Sequence, residues 1–135
     1  MKPVIAPIIL LAGPALADCA PLEAMAARDA GGAAALFAPH APTCHTALQT
    51  TGETLVCYSE HPFRSKTATD LAEGIEARIA ACFNAPARQQ DAEVNHPDSY
   101  AARWFDAGGA RIYLSVKDKG ALGKTLVFVR AAEGE

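Results

Sequence analysis

The chain has 135 residues, half of them apolar, and carries 12 Lys and Arg against 15 Asp and Glu, a net charge of −3 with histidines neutral. That length suits one compact domain and not two. With no basic arm or basic helix, the mild acidity argues against nucleic acid as a partner, because affinity for polyanions comes mainly from neutralising phosphates.

The first seventeen residues, MKPVIAPIILLAGPALA, read as an export signal. Lys2 supplies a minimal positive start, Val4 to Leu11 a short apolar core, Gly13-Pro14 a break, and Ala15-Leu16-Ala17 the small residues of a cleavage site. The apolar run is too short to span a bilayer, which takes about 20 residues, and no later segment replaces it. Asp18 directly before Cys19 argues against lipid attachment at that cysteine. The expected mature chain, residues 18–135, is a single domain of 118 residues with 11 basic and 15 acidic side chains. The expected location is periplasmic or secreted.

Cys19, Cys44, Cys57 and Cys82 all lie in that exported part, and an even number in a small exported domain reads as two disulfides. Pro21 suits a first helical turn, and Leu22, Met25, Ala26, Ala33, Leu36 and Phe37 share a helical stripe. Gly31-Gly32 is expected to kink or split this helix, and Pro39 to end it. Thr43 to Gln49 and Glu53 to Ser59 read as a hairpin turning at Thr51-Gly52. That register sets Cys44 diagonal to Cys57, roughly 7–8 Å apart and beyond disulfide reach.

The next helix is TATDLAEGIEARIAACFN, with Thr67 or Thr69 as its cap and Leu71, Ile75, Ile79 and Cys82 on its apolar stripe. The favoured pairing is therefore Cys57 with Cys82 and Cys19 with Cys44, the swap of 19 with 57 and 44 with 82 remaining open. Residues 84–98 are polar and turn-rich. Three strands follow, Tyr100–Phe105, Ala110–Val116 and Lys124–Arg130, with Ile112, Leu114 and Val116 on one inward face and an apolar run at Leu126 to Val129 that suits a central strand. The class is α+β: an antiparallel sheet of about five strands, in the order α-ββ-α-βββ, with two helices on one face.

The stretch HAPTCH, His40 to His45, falls one cysteine short of a haem-attachment motif. Strand alternation puts Cys44 and His45 on opposite faces, which weakens a shared metal site, and export favours a cystine over a zinc thiolate. His40, His45, His61 and His96 lack the i, i+4 spacing of a helical metal pair, so histidine-based metal binding ranks third among the readings and no metal or cofactor is expected. The segment EHPFRSKTATD places Arg64, Ser65, Lys66 and Thr67 at a helix start, with His61 beside them, a grouping able to hold a phosphate, sulfate or carboxylate. Ser59, Glu60 and His61 are consecutive and do not by themselves make a triad; no catalytic residue is assigned, and no G-x-S-x-G, H-E-x-x-H or C-x-x-C is present.

The resulting expectation is a non-enzymatic binding, inhibitory or accessory protein acting on an envelope protein or ligand. Its contacts would come from the 61–67 loop, from His96 in the 84–98 loop, and from Tyr100, Trp104 and Tyr113 if they face outward, although core or half-buried packing in the sheet is the favoured reading of those three aromatics. A small-anion binder or hydrolase built on the 61–67 loop is the alternative.

Overall fold

The computed structural model describes residues 18–50, 52–89 and 100–134. The expected signal, residues 1–17, and His96 lie outside them.

The chain begins with helix α1 (Ala20–Ala26), a single turn α2 (Ala30–Ala33) and a 3₁₀ turn (Ala34–Phe37). Pro21 stands in the first turn of α1, where its missing N–H costs nothing. The helix breaks earlier than Gly31-Gly32: Arg28 takes a left-handed φ of 57° and Asp29 caps α2 by accepting from the Gly31 N–H. Both glycines sit inside the helical segment, and Gly32 lies where an added Cβ would come within 2.6 Å of the Ala24 Cβ. Gly32 therefore serves close packing of α2 on α1 rather than the break. Leu22, Met25, Ala33, Leu36 and Phe37 are buried as one stripe.

Strands β1 (Thr43–Gln49) and β2 (Gly52–Pro62) form the expected hairpin in a different register. Gln49 pairs with Gly52, so Cys44 stands directly opposite Cys57 at a Cα separation of 4.1 Å, and the two are bonded. Gly52 belongs to the strand, not to the turn. Its φ is 112°, and an added Cβ would meet the Glu133 carboxylate at 2.8 Å. The second disulfide joins Cys19 to Cys82. Neither expected connectivity holds, because moving the turn by one residue turns a diagonal pair into a facing one.

Helix α3 (Lys66–Phe83) is capped by Ser65, whose side chain accepts from the Ala68 N–H, not by Thr67 or Thr69. Asn84 closes it in a left-handed conformation, with Pro86 beyond. Its buried line is Ala68, Ala72, Ile75 and Ile79; Leu71 and Cys82 of the expected stripe are half-buried at its margins. Within the 84–98 loop the pair Arg88–Gln89 forms a short strand, β3. Strands β4 (Tyr100–Asp106), β5 (Ala110–Lys119) and β6 (Lys124–Glu133) complete the sheet, with a 3₁₀ turn (Gly120–Leu122) before β6.

The fold is α+β: one antiparallel sheet in the order β1-β2-β6-β5-β4-β3, with five long strands and the two-residue β3 at one edge. β6 is central, as its apolar run predicts. Val127, Val129 and Ala131 of β6 lie beside Leu55 and Cys57 of β2, Ile112 and Leu114 of β5 and Phe105 of β4. These join the helices in one continuous core, so the described helices all cover the same face of the sheet. The alternate residues of every strand make up the opposite, open face.

Candidate functional site

Two groupings of polar side chains stand out, one at the end of the covered face and one across the open face.

On the covered face, Ser59, His61, Asp118 and Thr125 are all buried where β2, β6 and β5 run out toward α3. Ser59 Oγ and His61 Nε2 share a hydrogen bond of 2.7 Å, made possible by their i, i+2 spacing on one strand. Thr125 Oγ1 donates to Asp118 Oδ1 at 2.7 Å and accepts from the Arg64 N–H at 2.7 Å. The Arg64 Nε lies 3.2 Å from Asp118 Oδ2. Burial holds the His61 pKa below the usual histidine value, and the charge of neighbouring His40 lowers it further. A neutral imidazole on a serine hydroxyl has the parts of a base and nucleophile. At 2% and 4% exposure, however, Ser59 and His61 are closed to a substrate, and Asp118 bonds to Thr125 and Arg64. The grouping fastens the β2–α3 corner, where Arg64 adopts a left-handed φ of 53°.

The residues expected to hold an anion divide accordingly. Arg64, Ser65, Lys66 and Thr67 do gather at the start of α3, whereas His61 lies inside β2 and is buried. Ser65 caps the helix and shares a hydrogen bond with Thr67, and Lys66 Nζ lies 2.6 Å from Asp70 Oδ2, a bond that holds its pKa above the usual range. Cys44 is committed to its disulfide, so it is not available as a haem thioether or metal thiolate. His45 is exposed on the opposite side of its strand, as alternation predicts, and His40 meets the His61 ring edge to face with centroids 4.6 Å apart. Among the described residues no group of three or more His, Cys, Asp or Glu could hold a metal ion.

The open face is more informative. One row in register crosses all six strands: Arg88, Trp104, Tyr113, Arg130, Val56 and His45. The cations lie on the rings. The Arg130 guanidinium is 3.8 Å from the Tyr113 centroid, and those of Arg111 and Arg88 lie 3.9 and 5.0 Å from that of Trp104. One pleat further along, Tyr58 and Phe128 stack at 5.2 Å, with Lys117 Nζ 4.9 Å from the Phe128 centroid. Burial by these neighbours, and the charge of Lys119 on the same face, hold the Lys117 pKa below the usual lysine range. Trp104, Tyr113, Phe128 and Tyr58 are half-buried against one another, and no described helix packs over them.

The outward placing of Trp104 and Tyr113 is the part of this surface that sequence reasoning raised. Arg88, Arg111 and Arg130 were missed, although the alternation Arg111, Tyr113, Ser115, Lys117 opposite Ile112, Leu114, Val116 carried the signal. On the helix side, a groove of ≈ 260 Å³ between α3 and strands β4 and β5 is floored by Leu114 and Val116 and crossed at its rim by the Arg103–Glu76 ion pair.

No family model matches the chain, and no curated protein sequence does. Among solved structures it is similar to CalU16 from Micromonospora echinospora, at 9% identity over 72% of this chain and 70% of that one with a TM-score of 0.34, a likeness too slight to carry an argument.

Proposed function

We propose that the chain is an exported, non-enzymatic binding or accessory protein that engages an envelope partner through the open face of its sheet. The observation that carries this reading is the row of arginines and aromatic rings, Arg88, Trp104, Tyr113 and Arg130, that crosses β3, β4, β5 and β6 on the face the helices leave bare. Rings fixed by a sheet and guanidiniums fixed by rings lose little conformational freedom on binding, and such residues dominate recognition surfaces. Export is supported by the signal pattern at residues 1–17 and by the pairing of all four cysteines, which persists in oxidising compartments. The start of α3 is the weaker candidate, because its hydroxyls and cations are engaged in capping the helix and holding the corner.

The test is site-specific crosslinking in the cells that make the protein. A photo-crosslinking residue at Ser115, central on the open face, is expected to capture a partner, whereas the same residue at Ala80, exposed on the outer side of α3, is not. Equal capture from both positions, or none from Ser115, would remove the open face as the recognition surface.

A further inference from the structure

The open face also differs in charge from the rest of the molecule. By strand alternation it carries Arg88, Arg111, Lys117, Lys119, Lys124 and Arg130, against the carboxylates of Glu60 and Asp106. Those two carboxylates sit at its margins, Asp106 3.8 Å from Arg88 and Glu60 3.1 Å from Lys124. The face thus bears a net charge of +4, while the remaining described residues, with five cations and nine carboxylates, bear −4. A chain that is acidic as a whole has gathered an excess of positive charge onto one surface.

We infer that this face docks a carboxylate-bearing, acidic polypeptide segment of a partner, an inference that rests on the open face being the recognition surface. The chemistry follows from how the arginines are held. A guanidinium held against an aromatic ring has already lost much of its rotamer freedom, and its planar fork of N–H groups can meet a carboxylate with two parallel hydrogen bonds. Arg111 and Arg130 stand on adjacent strands, one pleat out of line with each other, since Arg111 pairs with Ala132 and Tyr113 with Arg130. Their Cα atoms are therefore roughly 7–8 Å apart, close to the spacing of alternate side chains along an extended partner strand. The ring surfaces between them supply apolar contact for the intervening residues. A long polyanion suits the molecule less well, because beyond this face it would run along an acidic surface.

The probe is a fluorescein-labelled oligoglutamate, titrated with the mature chain and followed by anisotropy and by the fluorescence of Trp104, the one tryptophan. Binding is expected to weaken with added salt and to fall by about tenfold or more in the charge-reversed pair Arg88→Glu, Arg130→Glu. The milder pair Arg88→Lys, Arg130→Lys keeps the charge and the fold but loses the fork geometry, and is expected to weaken binding by a smaller factor. Unchanged binding in both pairs would overturn the inference. Tighter binding of an oligothymidylate of equal length would replace carboxylate with phosphate and overturn it. A concentration-dependent dimer, abolished by the charge-reversed pair, would make the occupant a second copy and overturn it as well. If oligoglutamate does not bind while Ser115 still captures a partner, the acidic-segment chemistry falls and the recognition surface stands; if both fail, both fall.

Discussion

The imidazoles of His40 and His61 meet edge to face, 4.6 Å between centroids, with one ring in the loop before β1 and the other buried at the end of β2. Two cationic imidazoles at that distance would repel each other, and the buried one has little water to solvate its charge. Ser59 shares a hydrogen bond with the His61 ring, and Thr125, paired with His61 across β2 and β6, donates to Asp118 and accepts from the Arg64 N–H.

The pH dependence of stability follows in sign. The folded-state pKa of His61 lies below its unfolded value of 6.5, so between the two the unfolded chain binds more protons. The stability contributed by neutral His61 is fully present above pH 6.5 and is lost as the pH falls below it. Denaturant midpoints measured from about pH 8 down to about pH 5 are expected to decline, and the decline to flatten in His61→Gln. An unaltered slope in that variant would place the acid sensitivity elsewhere.

The two disulfides are expected to differ in what they contribute. Cys19–Cys82 closes a sequence separation of 63 residues and Cys44–Cys57 one of 13. Loop-closure entropy alone assigns about 4 kcal/mol to the longer loop and about 3 kcal/mol to the shorter. The variant with Cys19 and Cys82 both changed to Ala is therefore expected to unfold at lower denaturant than the variant lacking Cys44 and Cys57. The opposite order would mean that the hairpin bond contributes something beyond chain constraint.

Asp118 connects three elements through Thr125 and Arg64. Asp118→Ala leaves the Thr125 hydroxyl and the Arg64 side chain without their buried acceptor and is expected to cost about 1–3 kcal/mol in chemical unfolding. A double-mutant cycle with Thr125→Val isolates the shared hydrogen bond; a coupling near zero would mean that the contact at 2.7 Å contributes nothing net.

Much of this architecture was legible in the chain. The alternation at Ile112, Leu114 and Val116, the continuous run at Leu126 to Val129 and the helical stripe at Ile75 and Ile79 depend on period alone, and period survives small errors in boundary. Cystine pairing did not survive such an error. It hinged on whether Gly52 turns or pairs, and a displacement of one residue carried Cys44 from a diagonal position to a facing one. The break after α1 was misplaced for a related reason: Gly31-Gly32 is the conspicuous signal, but Asp29 as a cap and the left-handed Arg28 set the boundary. The burial of His61 and its contact with His40 were out of reach, because they depend on where β2 ends relative to a loop distant in sequence. The open face lay between these cases. Its residues were readable strand by strand, but their assembly into one row needed the register of all six strands.

The gathering of cations on one side has a practical consequence in the laboratory. With an isoelectric point near 5.8, the chain would be handled as an anion at neutral pH. Yet chromatographic media sense the nearest surface, not the sum. Turned one way, the molecule offers an anion-exchange resin its acidic side; turned the other, it offers a sulfonated resin six basic side chains on a rigid plane. It can therefore be retained by both kinds of column in the same buffer, a behaviour that its titration curve alone would not suggest.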